Sequence, residues 1–292
     1  MSQGLIEGFE QHRLPGDRVE IDALVGGSGP PMLLLHGAPE TRVCWSLVAP
    51  TLAERFTLVM PDLRGYGRSD KPHGGGDHST YSKRALGLDQ IATMDALGFK
   101  DFHVAGHDRG GRVAYRLALD HPARVRRLAV LDIVPTVDAM DAFDRHTGLK
   151  LWHWAFQALD EPIPERLIGN DADFYTTTML QAHAAPGFTF EAAHLADYLH
   201  CMRDRAAIHA MCEDYRAAWT YDRVLDESEK GRKKLEMPVL VLWGAQTAAS
   251  RSPLAKWEGW TSDLRGEAFR CGHFLPEEAP VETARALSDF FA

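Results

Sequence analysis

Short runs of apolar residues recur along the first half of the chain and predict buried strands. They lie at residues 31–36, 56–60, 101–105 and 128–131. Residues 18–25 instead alternate apolar and polar positions, which is typical of a half-exposed strand. The spacing of apolar positions predicts helices at residues 81–97 and 113–119. Short apolar strands that alternate with helices indicate parallel βαβ units.

The pattern changes in the middle of the chain. Residues 135–234 contain many aromatic side chains, histidines and helix-forming residues, without short buried strand runs. Strand character returns at residues 238–244, and a final helix is predicted at 277–291. We therefore expect an α/β fold with one mostly parallel sheet flanked by helices. Its core would consist of residues 1–134 and 235–292, and residues 135–234 would form an inserted helical cap.

Length, composition and charge exclude several classes of protein. The 292 residues allow one large α/β domain, and 45% hydrophobic with 25% charged residues is ordinary for a globular protein. A net charge of −9 argues against nucleic acid or an anionic membrane as the main partner. We see no signal-peptide pattern at the start and no apolar run near the ~18 residues of a membrane span. The four cysteines show no Cys-x-x-Cys pairing, which predicts free thiols and a cytoplasmic location.

The most informative motif lies between the predicted strand at 101–105 and the predicted helix at 113–119. Residues 106–112 read Gly-His-Asp-Arg-Gly-Gly-Arg. A Gly-x-nucleophile-x-Gly turn between a strand and a helix is the nucleophile elbow of α/β-hydrolases, and its glycines are needed because the turn leaves no room for side chains. The central residue is normally serine, but here it is Asp108. A carboxylate attacks saturated carbon that bears a leaving group, and it forms an alkyl ester.

Hydrolysis of such an ester needs a general base, an acid that orients the base, and donors for the oxyanion. Among the fourteen histidines, His273 is the expected base because it lies in a Gly-containing loop before the last helix. The loop at residues 244–250 contains no carboxylate, so Asp132, after the strand that follows the elbow helix, is the expected acid. In this architecture the oxyanion donors are expected to be two backbone N–H groups. One is that of Ala38, in the His-Gly-Ala-Pro loop, and the other is that of Arg109, the residue after the nucleophile.

Two arginines follow the nucleophile. Arg109 is adjacent to Asp108, and Arg112 lies three residues later on the same side of the helix. Two guanidinium groups at this place predict a site for a substrate carboxylate, which planar guanidinium groups bind with paired hydrogen bonds. They would also lower the pKa of Asp108 and keep it ionised. Surface salt bridges are the alternative, but a helix N-terminus disfavours cations.

Together these residues resemble the fluoroacetate dehalogenases, which are haloacid dehalogenases of the α/β-hydrolase superfamily. The likeness extends over nearly the whole chain, and its most specific parts are Arg-x-x-Arg after the aspartate and the His-Trp and Asp-Tyr-Arg motifs of the cap. The matching segments are residues 33–37, 62–67, 106–112, 131–136, 152–154, 212–216 and 272–274. The resemblance implies that His153, Trp154 and Tyr215 form the halide pocket. Their N–H and O–H groups are donors that can converge on a departing halide.

The resemblance also implies a reaction and an assembly. The expected reaction is hydrolysis of a short 2-haloacid, such as fluoroacetate or chloroacetate, to the 2-hydroxy acid and halide, in a homodimer. Two positions depart from the family: Ala38 stands where phenylalanine is common, and His183 where some relatives have tryptophan. Both changes reshape the substrate cavity, so a larger 2-haloacid is also an expectation.

Three other functions have to be weighed. An epoxide hydrolase uses the same Asp-His-Asp set, but it would need two cap tyrosines and would leave the arginine pair without an obvious partner. A haloalkane dehalogenase usually has tryptophan directly after the nucleophile, where this chain has Arg109. A non-catalytic hydrolase-fold binding protein would be expected to have lost Asp108 or His273.

No metal or organic cofactor is expected from the sequence. The mechanism outlined above needs none. The histidines of the predicted cap show no metal-ligand spacing such as His-Glu-x-x-His. The cap histidines considered are His146, His194, His200 and His209.

Overall fold

The structure is a computed structural model that describes residues 6–246 and 252–292. The prediction that no signal peptide begins the chain therefore concerns a segment partly outside the described residues. The same holds for the loop at residues 244–250, of which 247–250 lie outside them.

One eight-stranded sheet forms the centre of the fold. Its strands are β1 (Phe9–Pro15), β2 (Glu20–Gly27), β3 (Pro31–Leu35), β4 (Thr57–Pro61), β5 (Phe102–His107), β6 (Val125–Leu131), β7 (Val239–Gly244) and β8 (Leu264–Phe269). They lie in the order β1-β2-β4-β3-β5-β6-β7-β8. The pairs β1–β2 and β2–β4 are antiparallel, and the remaining pairs are parallel. The prediction of a mostly parallel sheet is confirmed.

Helices cover the sheet and fill the connections between its strands. The α-helices are α1 (Ala49–Ala53), α2 (Lys83–Ala96), α3 (Asp108–Asp120), α4 (Thr136–Asp141), α5 (Trp152–Gln157), α6 (Ile163–Asn170), α7 (Ala172–His183), α8 (Ala192–Met202), α9 (Arg205–Ala217), α10 (Arg223–Glu229), α11 (Leu254–Trp257), α12 (Leu275–Glu278) and α13 (Pro280–Phe291). Short 3-10 helices occupy Arg42–Trp45, Ser79–Tyr81 and Pro122–Arg124, and a π-helical turn occupies Ala218–Asp222. None of the described helices has both the length and the apolar character that a membrane crossing requires.

The central strands are apolar along their whole length because both faces of the sheet are covered. Successive side chains point to opposite faces of a strand. Leu33 and Leu35 of β3 accordingly belong to one buried cluster, together with Val104. Met32 and Leu34 belong to a second cluster on the other face. This explains why continuous apolar runs, not alternating ones, marked these strands in the sequence.

The apolar pattern did not reveal the two edge strands, β1 and β8. Both lie at the ends of the sheet, where a strand has a neighbour on one side only. In β8 the residues from Arg265 to Ala268 are exposed, and β1 has only exposed and half-buried positions. Neither strand therefore needs an apolar run.

The segment between β6 and β7 is an insertion built from α4 to α10 and the π-helical turn. The predicted cap, residues 135–234, lies inside this insertion; its exact boundaries stay a prediction. All four cysteines are buried and free.

Candidate active site

The predicted catalytic residues follow the carboxyl ends of parallel strands. Asp108 comes directly after β5, Asp132 after β6, and His273 four residues after β8. These strand ends lie along one edge of the sheet, so residues far apart in the sequence can meet there. The backbone at Asp108 has a φ of 44°, and that at Asp132 has a φ of 51°. Non-glycine residues rarely adopt this left-handed conformation, and it often marks functional turns.

The glycines of the elbow are required by close backbone approach. A Cβ atom on Gly106 would lie 2.4 Å from the carbonyl oxygen of Gly110. A Cβ atom on Gly110 would lie 2.4 Å from the carbonyl oxygen of His36. Since either contact would be a clash, only glycine fits at the two positions. The tight turn that the motif predicted is therefore present at Asp108.

Asp108, His273 and Asp132 lie together. The Nδ1 atom of His273 is 2.6 Å from Oδ2 of Asp132, and its Nε2 atom is 3.9 Å from Oδ1 of Asp108. The other oxygen of Asp132 accepts a hydrogen bond of 3.0 Å from the backbone N–H of Gly244. A carboxylate can only accept, so the neutral His273 ring carries its proton on Nδ1 and has its lone pair on Nε2, which faces the nucleophile. This is the tautomer that a general base requires.

One oxygen of the nucleophile already lies at a predicted oxyanion donor. The backbone N–H of Ala38 donates to Oδ2 of Asp108 over 3.1 Å. The backbone N–H of Arg109, the second predicted donor, lies in the first turn of α3, where amides have no acceptor within the helix. The carboxylate is thus oriented with Oδ2 toward Ala38 and Oδ1 toward His273.

His107 and Glu40 form a buried pair next to Asp108 that was not predicted from the sequence. The Nδ1 atom of His107 lies 2.7 Å from Oε2 of Glu40, and its Nε2 atom lies 2.8 Å from the carbonyl oxygen of His273. The same oxygen of Glu40 accepts the N–H of Gly37 over 2.9 Å. The only available signal was position, because Glu40 follows the His-Gly-Ala-Pro loop and His107 precedes the nucleophile.

Both ring nitrogens of His107 face acceptors, so the ring holds two protons when Glu40 is ionised. Burial disfavours this charged form, but the carboxylate of Glu40 outweighs burial and raises the pKa of His107 to about 9. Asp108 shows the opposite shift. Burial would raise its pKa, yet the electrostatic influence of the neighbouring His273 and Arg109 side chains outweighs burial and lowers the pKa of Asp108 to about 2. The nucleophile is therefore ionised at neutral pH.

The two predicted carboxylate-binding arginines differ in their surroundings. The Nε and Nη2 atoms of Arg109 donate to the carboxylate of Asp214 over 3.0 and 2.6 Å. Asp214 also accepts from the hydroxyl of Tyr66 over 2.8 Å and pairs with Lys83. The Arg109 guanidinium lies 4.3 Å from the ring centre of Tyr215. Its Nη1 atom has no acceptor among the described residues, but Arg109 is not one of the residues that line the cavity described below.

Arg112, by contrast, has no carboxylate partner. Its side chain is buried, and its Nη1 atom donates to the carbonyl oxygen of Val134 over 3.1 Å and to the hydroxyl of Thr136 over 3.3 Å. Its Nε atom is buried without an acceptor. Among residues 6–246 and 252–292, no carboxylate oxygen lies within 4.0 Å of its guanidinium group. A buried cation without a counter-ion is costly, and an anionic ligand would provide that counter-ion.

Arg112 and the predicted catalytic residues line one cavity of about 570 Å³. The three predicted halide-binding residues lie on its wall and belong to the insertion between β6 and β7: His153, Trp154 and Tyr215. The ring of His153 is 6.0 Å from that of Tyr215 and 6.4 Å from that of Trp154. Burial and the neighbouring His183 lower the pKa of His153 to about 3, so its ring is neutral. The donors to a halide would therefore be uncharged N–H and O–H groups.

Three further residues line the cavity, of which only His183 was expected there, as a position that reshapes it. Tyr175 and Gln157 come from the insertion between β6 and β7, and the hydroxyl of Tyr175 is buried with no hydrogen-bond partner among the described residues. His183 lies in van der Waals range of His153, with 4.9 Å between the ring centres. Its Nδ1–H donates to the carbonyl oxygen of Met179 over 2.8 Å. Burial lowers the pKa of His183, so the neutral ring has a lone pair on Nε2.

The chain is similar to known proteins over nearly its full length. The family model of the alpha/beta hydrolase fold matches residues 30–280. The chain is 43% identical to the fluoroacetate dehalogenase of Burkholderia sp., an alignment that covers 99% of this chain and 95% of that protein. It is 32% identical to the soluble epoxide hydrolase of Corynebacterium sp. (strain C12), with 99% and 96% covered. A solved structure from Nostoc sp. PCC 7120, described as an alpha/beta hydrolase, is 43% identical, covers 99% of both chains and has a TM-score of 0.96.

Proposed function

The chain belongs to the α/β-hydrolase fold family, and on this basis we propose that it hydrolyses short 2-haloacids to 2-hydroxy acids and halide. It is a hydrolase that acts on carbon–halide bonds, as the similarity to a fluoroacetate dehalogenase along nearly the full chain supports. The preference for substrates that carry a carboxylate is inferred from the surroundings of Arg112. This buried guanidinium group lines the catalytic cavity and has no carboxylate partner in the described structure.

The substrate carboxylate binds to Arg112, which lines the cavity. Arg109 does not line it, and Asp214 holds its Nε and Nη2 atoms, so only its Nη1 atom is proposed as a second donor. Binding replaces an unpaired buried charge with an ion pair, which favours acids over neutral halides of the same size.

In the first step a carboxylate oxygen of Asp108 attacks the α-carbon of the bound acid in line with the carbon–halogen bond. Oδ1 is the attacking oxygen, because Oδ2 accepts the N–H of Ala38. The carbon–oxygen bond forms as the carbon–halogen bond breaks, and the halide leaves with its electron pair toward His153, Trp154 and Tyr215. The α-carbon is inverted, and an ester joins it to Asp108.

In the second step His273 removes a proton from water, and the resulting hydroxide attacks the carbonyl carbon of the Asp108 ester. The oxyanion forms on Oδ2, where the N–H groups of Ala38 and Arg109 stabilise it. Asp132 stabilises the imidazolium form of His273 over the 2.6 Å hydrogen bond. The intermediate then collapses, the 2-hydroxy acid leaves with the proton of His273, and Asp108 is restored as a carboxylate.

The size of the cavity supports the turnover of 2-haloacids larger than haloacetate. Its volume of about 570 Å³ greatly exceeds that of a two-carbon acid. Ala38, which stands next to the nucleophile, has a side chain of a single methyl group. We therefore expect 2-haloacids with an alkyl group on the α-carbon to be turned over as well. The homodimer and the cytoplasmic location stay predictions.

Epoxide hydrolysis is a second candidate, because two cap tyrosines do line the cavity. Tyr175 and Tyr215 would be the two tyrosines that such an enzyme needs to donate hydrogen bonds to the epoxide oxygen. The full-length similarity to a soluble epoxide hydrolase supports this reading. Arg112 argues against it as the main activity, because an epoxide brings no anion.

Turnover of a panel of substrates distinguishes the candidates, with halide release measured for the halides and diol formation for the epoxide. The test panel is fluoroacetate, chloroacetate, both enantiomers of 2-chloropropionate, a chloroalkane and a simple epoxide. We expect turnover of the acids and inversion at the α-carbon of 2-chloropropionate. Turnover of the epoxide alone, or of the chloroalkane alone, would overturn the proposal.

The ester intermediate has its own test in a single turnover in ¹⁸O-water. The product oxygen comes from Asp108 in that turnover, so the 2-hydroxy acid should be unlabelled and the label should appear in the protein. Label that appears directly in the first product would mean that water, not Asp108, attacks the α-carbon.

A further inference from the structure

Two histidines and a glutamate from distant parts of the chain meet at the surface, outside the catalytic cavity. His73 lies in the loop that precedes α2, Glu161 lies before α6, and His209 lies on α9. One ligand atom from each lies within 4.8 Å of the other two. We refer to these three residues as the surface triad. It joins a loop of the core to the insertion between β6 and β7.

The side chains of the triad are arranged around a common point. The Nε2 atom of His73 lies 3.9 Å from Oε2 of Glu161, and Nδ1 of His209 lies 3.9 Å from Oε1 of Glu161. The two imidazole rings are stacked, with 4.4 Å between their centres and 30° between their planes. Both rings therefore present a nitrogen to the same carboxylate.

The hydrogen bond of the His73 ring favours metal binding. The Nδ1 atom of His73 is 2.8 Å from the carbonyl oxygen of Gly74. A carbonyl oxygen only accepts, so the proton lies on Nδ1 and the lone pair on Nε2 faces Glu161. A backbone carbonyl that orients the distant nitrogen in this way is common behind metal-bound histidines. To bind a metal through Nδ1, His209 has to give up two contacts. These are the Gly74 N–H at 3.4 Å from Nε2 and the Glu165 carboxylate at 3.3 Å from Nδ1, and both are longer than a typical hydrogen bond.

We propose that His73, Glu161 and His209 form a binding site for Zn²⁺. Two imidazole nitrogens and one carboxylate oxygen suit zinc, with water completing a tetrahedral set. Zinc–ligand distances near 2.0–2.2 Å place two tetrahedral ligand atoms about 3.3 Å apart. The 3.9 Å separations in the structure would shorten by about 0.6 Å, which the side chains can do, because Glu161 is 50% and His73 75% exposed.

Glu165, which lies next to His209, is a further carboxylate that could bind the zinc ion. Its Oε1 atom lies 3.3 Å from Nδ1 of His209 and accepts a hydrogen bond of 2.7 Å from Arg216. Its Oε2 atom is buried without a partner in the described structure. The bound ion would tie the loop at His73 to the insertion, independently of substrate turnover. The site is distinct from the proposed reaction, because none of its residues lines the cavity.

The test is calorimetric titration of the metal-free full chain with ZnCl₂ in a buffer that does not bind metals. We expect one Zn²⁺ per chain and a higher melting temperature when it is bound. His73→Gln and Glu161→Gln should each weaken binding at least about tenfold and remove the rise in melting temperature. Both side chains are at least half exposed, so the variants should fold.

Controls separate this site from other places where zinc could bind. His146→Gln changes an exposed histidine elsewhere in the insertion and should leave zinc affinity unchanged. Asp108→Asn should also leave it unchanged, because Asp108 lies in the cavity. The proposal would be overturned if wild-type protein bound no zinc, if His73→Gln bound it as tightly as wild type, or if binding were lost only in Asp108→Asn.

Discussion

The Nε2 atom of His107 lies 2.8 Å from the backbone carbonyl oxygen of His273, so the residue before the nucleophile holds the loop of the proposed base. The other nitrogen of His107 faces Glu40, which in turn accepts the N–H of Gly37. One buried ring therefore links the oxyanion loop, the elbow and the loop of His273. Both nitrogens of the ring face acceptors, so both can donate hydrogen bonds only when the ring carries two protons.

Stability should reflect the protonation of His107. Because Glu40 outweighs burial, the folded pKa of about 9 lies above the ~6.5 of an unfolded histidine. The charged ring thus stabilises the fold fully below pH ~6.5, and this contribution is lost as the pH rises through about 9. We expect the free energy of unfolding to fall by on the order of 1–3 kcal/mol between pH ~6.5 and ~9.5, and to fall less in His107→Gln. Urea unfolding at both pH values measures this, and an equal fall in both proteins would contradict it.

His273→Gln should separate the two chemical steps. Glutamine cannot take a proton from water, so the Asp108 ester should accumulate while halide is still released in a burst of about one per active site. Rapid-quench halide measurement with mass spectrometry of the intact protein detects both. As a control, His121→Gln changes a histidine at the end of α3 and should turn over normally. A variant that shows neither a burst nor an ester would remove His273 from the second step.

Arg112→Gln should lower the activity on anionic substrates much more than the activity on neutral ones. Removing the cation should lower kcat/KM for chloroacetate by about 10²-fold, mainly through KM, because the carboxylate loses its charged partner. Any slow turnover of a chloroalkane should change much less. Arg203→Gln is the matched control, since Arg203 is 60% exposed and pairs with Asp173. If chloroacetate kinetics were the same in Arg112→Gln and wild type, the assigned carboxylate site would be wrong.

Ala38→Phe should narrow the range of acids. The backbone N–H to Asp108 is retained, while the phenyl ring fills space beside the nucleophile. We expect kcat/KM for 2-chlorobutyrate to fall at least about tenfold relative to that for chloroacetate. Competition between the two acids in one reaction gives this ratio directly. A ratio unchanged from wild type would show that Ala38 does not limit the size of the substrate.

Much of the central sheet could be predicted, because its physical cause is local. Strands covered on both faces must be apolar at every position, and the runs at β3 and β5 show this directly. The nucleophile elbow could also be predicted from the sequence, since a tight turn needs glycine wherever backbone atoms approach closely. The edge strands β1 and β8 were missed, because a strand with exposed positions shares its composition with a loop.

The sequence by itself determined the central strands of the sheet, the family and the residue types of the site, since each depends on neighbours along the chain or on short motifs. Only the tertiary structure decided which charges are paired. It placed Asp214 on Arg109 across 105 residues and left Arg112 without a carboxylate among the described residues. It also brought His73 and His209 together, although cap histidines had shown no ligand spacing. Contacts across such separations depend on how the insertion packs on the core, and no local pattern records that packing.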